Sequence, residues 1–181
     1  MKGPVGRGAL LALALLATLG LAAAAAAASG GLSTGGKDGD RKGDRGGKGA
    51  AFPILGRHDY GDGLGAGRGH EGQDVFANCG KKVVAAKRGR VRYVDYQASG
   101  AGHYVVVKGK KYDYVYMHML KRLSVRRGER VGAGEQIGRV GSTGRASGCH
   151  LHFEMWRKPG WYRGGRMTNP KPFLKRWDRG R

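Results

Sequence analysis

Glycine interrupts this chain at short intervals, filling 36 of 181 positions. Each glycine inside a helix costs about 1 kcal/mol relative to alanine, so long helices are excluded over most of the sequence. What lies between the glycines after Phe52 is short and β-like. Lys82–Ala86, Arg90–Tyr96, Tyr104–Lys108, Tyr112–His118, Gln136–Val140 and His150–Trp156 carry Tyr, Val and Phe at period two. Turn sequences separate them: Lys87-Arg88-Gly89, Ser99-Gly100-Ala101-Gly102, Lys108-Gly109-Lys110 and Gly141-Ser142-Thr143-Gly144. No amphipathic pattern longer than about ten residues stands out. The expectation is an all-β fold, an antiparallel sandwich or barrel.

The ends of the chain are of a different kind. Lys2 and Arg7 precede an apolar run from Ala9 to Ala28 that finishes in small residues. This pattern predicts a secretory leader over residues 1–28. At about 20 residues the run is also long enough to serve as an uncleaved anchor. Residues 29–50 are rich in Gly, Lys, Arg and Asp, and no large apolar side chain follows Leu32. Such a segment cannot bury enough surface to offset its ordering entropy and is expected to be a flexible linker. The folded domain is expected over residues 51–178, enough for one core.

The formal charge is +21. It is spread through the domain: Arg157–Arg181 holds nine Lys/Arg against Asp178, and Lys81–Arg130 holds fourteen against three acids. A surplus of this size attracts polyanions. For an exported chain the expected partners are anionic cell-wall polymers and not nucleic acid, with the membrane met only through an uncleaved leader. The even cysteine count, Cys79 and Cys149, suggests one disulfide in an oxidising compartment. Free thiols and a thiolate metal ligand are the alternatives.

The polar residues with chemistry gather in three short motifs. His70-Glu71-Gly72-Gln73-Asp74 supplies an imidazole and a carboxylate. Tyr116-Met117-His118 closes an aromatic run. Cys149-His150-Leu151-His152-Phe153-Glu154 supplies two imidazoles two residues apart. On a strand His150 and His152 leave one face while Leu151 points into the core. In a straight strand His70 and Asp74 would lie about 13 Å apart, so a shared ion demands a bend, and Gly72 can supply it. One carboxylate and four imidazoles suffice for a three-ligand zinc site with a fourth position left to water, plus two histidines for proton handling. Spacing alone does not choose between His150 and His152 as ligand. Glu154, on the same face as His152, is expected either to orient a ligand or to cover the strand end. His58 and His103 lack such context and are expected at the surface or in loops.

The ordered set H-x-x-x-D, Tyr-Met-His, a valine–glycine hammerhead over Val125–Gly138, Gly-Ser-Thr-Gly and His-Leu-His-Phe-Glu resembles the lysostaphin-type zinc metalloendopeptidases, which cut peptides of bacterial peptidoglycan. The hammerhead is also similar to that of biotinyl and lipoyl carriers, but the displayed lysine those carriers need is missing. The resemblance runs from Phe52 to Trp156. It implies an all-β fold on a central antiparallel sheet, a β-sandwich resembling a barrel-sandwich hybrid. It implies zinc held by His70, Asp74 and His152, with His118 and His150 as the catalytic histidines. Noncatalytic relatives have lost ligands, whereas this chain keeps them all. The expected protein is thus a secreted, cell-wall-associated monomeric peptidoglycan endopeptidase; a noncatalytic wall- or polyanion-binding module of the same fold is the alternative. A tyrosine assists some relatives, and Tyr60 is the candidate here.

Overall fold

A computed structural model describes residues 49–67 and 69–180. The expected leader and nearly all of the expected linker lie outside the described residues. Among the described residues, no helix is long and apolar enough to cross a membrane.

The described residues form ten strands and one helix in chain order: β1 (Asp59–Tyr60), β2 (Gln73–Phe76), β3 (Lys82–Val84), β4 (Gly89–Gln97), β5 (Gly102–Lys108), β6 (Tyr112–Met119), β7 (Arg130–Val131), β8 (Gln136–Arg139), β9 (His150–Arg157), β10 (Met167–Thr168) and α1 (Lys171–Arg179). The antiparallel all-β reading holds. The six runs expected from periodicity are β3, β4, β5, β6, β8 and β9, displaced by a few residues at their ends. β3 stops at Val84, where its register on β8 shifts.

The large sheet has the order β1-β2-β9-β6-β5-β4-β7, and β10 pairs with β9 beyond the end of β2. It remains open, so the barrel alternative is not what forms. β3 and β8 make a separate two-stranded sheet. Alternation decides what each face of the large sheet meets. One face carries Val75, Val105, Val107, Tyr114, Tyr116, Leu151, Phe153 and Met155 into a core shared with Val83 and Ile137 of the small sheet and with Leu174 and Trp177 of α1. The opposite face carries Val106, Val115 and Met117, together with the polar groups of the site.

α1 was not foreseen from sequence. Only Leu174 and Trp177 of its nine residues are buried, a stripe too narrow to stand out beside five charged positions. Its Trp177 meets Tyr114 and Phe153 edge-on, with ring centroids 6.4 and 6.3 Å apart. β1, β2, β7 and β10 are two to four residues long, too short for alternation to register.

Two links tie the small layer and the loops to the large sheet. Tyr116 is fully buried and its hydroxyl accepts the Ala86 N–H at 2.8 Å. Cys79, just after β2, is bonded to Cys149, just before β9, with Cα atoms 5.2 Å apart. The thiol and thiolate-ligand alternatives therefore fall. The bridge closes a separation of 70 residues, and chain entropy assigns such a loop about 4 kcal/mol. Reduction, or Cys79→Ser with Cys149→Ser, is expected to lower the unfolding free energy by about 2–4 kcal/mol in urea titrations monitored by tryptophan fluorescence.

Candidate metal centre

β2 lies antiparallel to β9 with Asp74 opposite His152 and Val75 opposite Leu151. Directly paired residues share a face. Val75 and Leu151 therefore enter the core while Asp74 and His152 emerge together on the other side. Asp74 Oδ1 lies 2.8 Å from His152 Nδ1 and 3.1 Å from His70 Nε2.

His70 arrives from the loop before β2. The loop is held by His70 N–H donating to the Ala66 carbonyl and Gly65 N–H donating to the His70 carbonyl. Gln73, fully buried, donates from Nε2 to the carbonyls of Gly61, Asp62 and Asp74. Gly72 is where the chain presses against β9. A Cβ there would sit 2.5 Å from the Phe153 carbonyl oxygen and 2.8 Å from His152 Nε2. Its role as the bend between His70 and Asp74 is thus joined by a steric one: no side chain fits between β2 and the His152 ring.

His118 reaches the site by an irregularity. Strict alternation along β6 would send it into the core with Tyr114 and Tyr116. Between β5 and β6 the partners run from His103↔Met119 to Val105↔Tyr116, three steps on β6 against two on β5. This bulge, with His118 at φ 62°, turns the imidazole to the site face and sends Met119 back into the core. Thr143, in the Gly-Ser-Thr-Gly turn, fixes the result. Its carbonyl accepts from His118 Nδ1–H at 2.8 Å, and its hydroxyl donates to the Met119 carbonyl. The turn was legible in the sequence; its hold on His118 was not.

The ring nitrogens fall into two sets. His118 and His150 each donate Nδ1–H to a backbone carbonyl, Thr143 and Gly148 respectively, which leaves Nε2 as the acceptor nitrogen. His150 Nε2 lies 3.7 Å from Asp74 Oδ1, and the His118 and His150 rings are 4.7 Å apart. His70 donates Nδ1–H to the Gly63 carbonyl, so its Nε2 faces Asp74 as a lone pair. His152 presents Nδ1 to Asp74 and Nε2 to Glu154 Oε1 at 3.1 Å. Glu154, 2% exposed, also accepts Trp156 Nε1–H at 2.7 Å.

These contacts set the charges. Burial presses His118 down to about 4, against the opposing hydrogen bond to Thr143. Burial also acts against a charge on His152, but its hydrogen bonds to Asp74 and Glu154 outweigh it and raise the ring to about 9. Burial likewise opposes the Asp74 carboxylate, and the histidines around it still hold it below its usual range.

One donor atom from each of His70, Asp74 and His152 lies within 4.8 Å of the others. The set fits a divalent metal: two imidazole nitrogens and a carboxylate converge, and the far nitrogen of each ring is anchored to an acceptor. All five residues singled out in the sequence are brought together. Tyr60 is not. It pairs with Val75, so it shares the core face, against Phe52 and His58. His58 is packed and not loose: it stacks on Phe52 at 4.2 Å and pairs with Asp178. His103 lies on β5 with its ring tilted against Tyr96 at 4.4 Å. Neither ring joins the contacts linking the four site histidines.

The model of peptidase family M23 matches residues 68–170. The chain belongs to peptidase family M23. Among its M23 relatives is an uncharacterized metalloprotease of Haemophilus influenzae, 42% identical over 104 residues, which are 57% of this chain and 20% of that protein. Another is the peptidoglycan DD-endopeptidase ShyC of Vibrio cholerae, 37% identical over 87 residues, 48% of this chain and 20% of that protein. The chain thus spans about a fifth of these curated relatives. The solved catalytic domain of the antimicrobial peptidase lysostaphin from Staphylococcus simulans superimposes with a TM-score of 0.58 at 31% identity, covering 65% of this chain and 92% of that one.

The Glu154 contact gives this M23 site a direct check. Glu154→Ala removes the acceptor of His152 Nε2–H, and is expected to weaken metal binding about 10- to 100-fold, measured by chelator competition, with the fold kept by circular dichroism.

Proposed function

We propose that this chain is an exported zinc metalloendopeptidase that hydrolyses peptide bonds in bacterial peptidoglycan, in stem peptides or cross-bridges. The observation that carries the reading is the convergence of His70, Asp74 and His152 donors within 4.8 Å, with the His118 and His150 rings beside them. His70 Nε2, Asp74 Oδ1 and His152 Nδ1 would hold the zinc. When bound, zinc supplies Lewis acidity to a scissile carbonyl and to water at neutral pH.

The chain's own residues do the rest. His150 and His118 have Nδ1–H committed to backbone carbonyls, so each turns an Nε2 lone pair inward. One takes the proton of the attacking water, and one returns a proton to the leaving amine. The buried Glu154 carboxylate holds the His152 ring so that Nδ1 stays available. An exported protein of charge +21 would be retained on an acidic wall by its anionic polymers, which keeps a monomeric enzyme near its substrate.

His150→Ala is expected to keep zinc at wild-type stoichiometry while lowering release of dye from labelled cell walls about 100-fold or more. His152→Ala is expected to lose both. Loss of zinc from His150→Ala but not from His152→Ala would reverse the assignment. Chelator should abolish release, and mass spectrometry of the released fragments names the bond. Zinc binding with no release, and indifference to chelator, would favour a noncatalytic wall-binding module.

A further inference from the structure

Besides His118, one non-glycine residue among those described has a positive φ: Tyr162, at 46°. Such a conformation is strained for a bulky residue and persists only where surroundings enforce it. Tyr162 lies in the loop between β9 and β10, and that loop is tightly clamped. Asp113 on β6, with no exposed surface, pairs with Arg92 and accepts the Trp161 N–H. A Cβ on Gly160 would come within 2.2 Å of Asp113 Oδ2, so the loop cannot approach with any other residue there. Arg163 and Gly165 both donate N–H groups to the Gly160 carbonyl.

The clamp presents an aromatic surface. The Tyr162 side stands 71% exposed, yet its ring lies 4.4 Å from Trp161 and 6.1 Å from Trp156. Trp156 is bound to Glu154, and Glu154 to His152. The rings therefore continue the face that carries the metal centre. Burial, then the charges of Glu71 and Glu154, hold the Tyr162 hydroxyl above the usual tyrosine range, in keeping with a place on the same rim. Trp156 is four residues along β9 from His152, about 13 Å at strand rise. Their side chains are nearer than their backbones, because Trp156 Nε1 and His152 Nε2 both contact the Glu154 carboxylate, at 2.7 and 3.1 Å.

We propose that Tyr162, backed by Trp156 and Trp161, is a substrate-binding residue that contacts the peptide part of the substrate within a few residues of the bond cut. The assignment rests on the endopeptidase reading above. A strained, exposed ring costs stability and gives no core packing in return, which fits a surface kept for contact. Ring stacking on a peptide is sequence-tolerant and needs no charge.

The test compares steady-state cleavage by the zinc-loaded chain of two probes: dye-labelled sacculi and cross-linked wall peptide freed of glycan. Tyr162→Ala is expected to raise KM for both probes about three- to tenfold with kcat within about twofold. Tyr162→Phe should stay within about twofold of wild type. Tyr162→Gly relieves the strain, so it should melt no lower than wild type and still lose the same affinity. A rise confined to sacculi would mean that the ring meets sugar, and would overturn the proposal. So would an unchanged KM in an active enzyme, or a fall in kcat alone. A wild-type chain that binds zinc and cleaves neither probe would instead remove the endopeptidase reading, and this assignment with it.

Discussion

The register of β2 on β9 is the constraint on which the site depends. Asp74 faces His152 and Val75 faces Leu151. A slip of one residue would bury the carboxylate and imidazole and expose the valine and leucine. The hydrophobic core on one side and the polar cluster on the other therefore select the same pairing. The disulfide between Cys79 and Cys149 ties the end of β2 to the start of β9, so covalent and apolar terms hold the one alignment that brings Asp74 and His152 together.

The remaining histidines are placed by departures from regular structure. His118 sits at a bulge with a left-handed backbone, and Thr143 holds both its ring and the next carbonyl. His150 begins β9 with its Nδ1–H tied to Gly148. The sheet supplies Asp74, His152 and Glu154, the loop before β2 supplies His70, and strand ends supply His118 and His150, whose rings are tied to carbonyls of the neighbouring turns. Metal ligands need fixed distances, and proton carriers need one nitrogen tied and one facing the reaction.

The same face extends from the metal centre over Met117 and Val115 to the clamped loop of Trp161 and Tyr162. Asp113 is the buried charge that makes this possible. Carrying a carboxylate into the sheet is unfavourable without partners, and here Arg92, Lys158 and the Trp161 N–H gather around it. The loop that carries Tyr162 also donates the Trp161 N–H to the charge beneath it.

Sequence by itself determined the all-β class, the six longer strands and the five residues that the fold brings together. Period-two alternation and glycine spacing are local properties, and imidazole and carboxylate chemistry is fixed by residue type. It could not determine which histidine nitrogen faces Asp74, that Gly72 must yield room to the His152 ring, that Gln73 and Thr143 brace the loops, or that Tyr60 turns to the core. It also missed the two-residue strands and α1, whose apolar stripe is only Leu174 and Trp177. Those outcomes belong to tertiary structure alone, because each is settled by a contact between segments that no pattern along one strand relates, and the alternation that reveals a strand would itself have sent His118 to the wrong face.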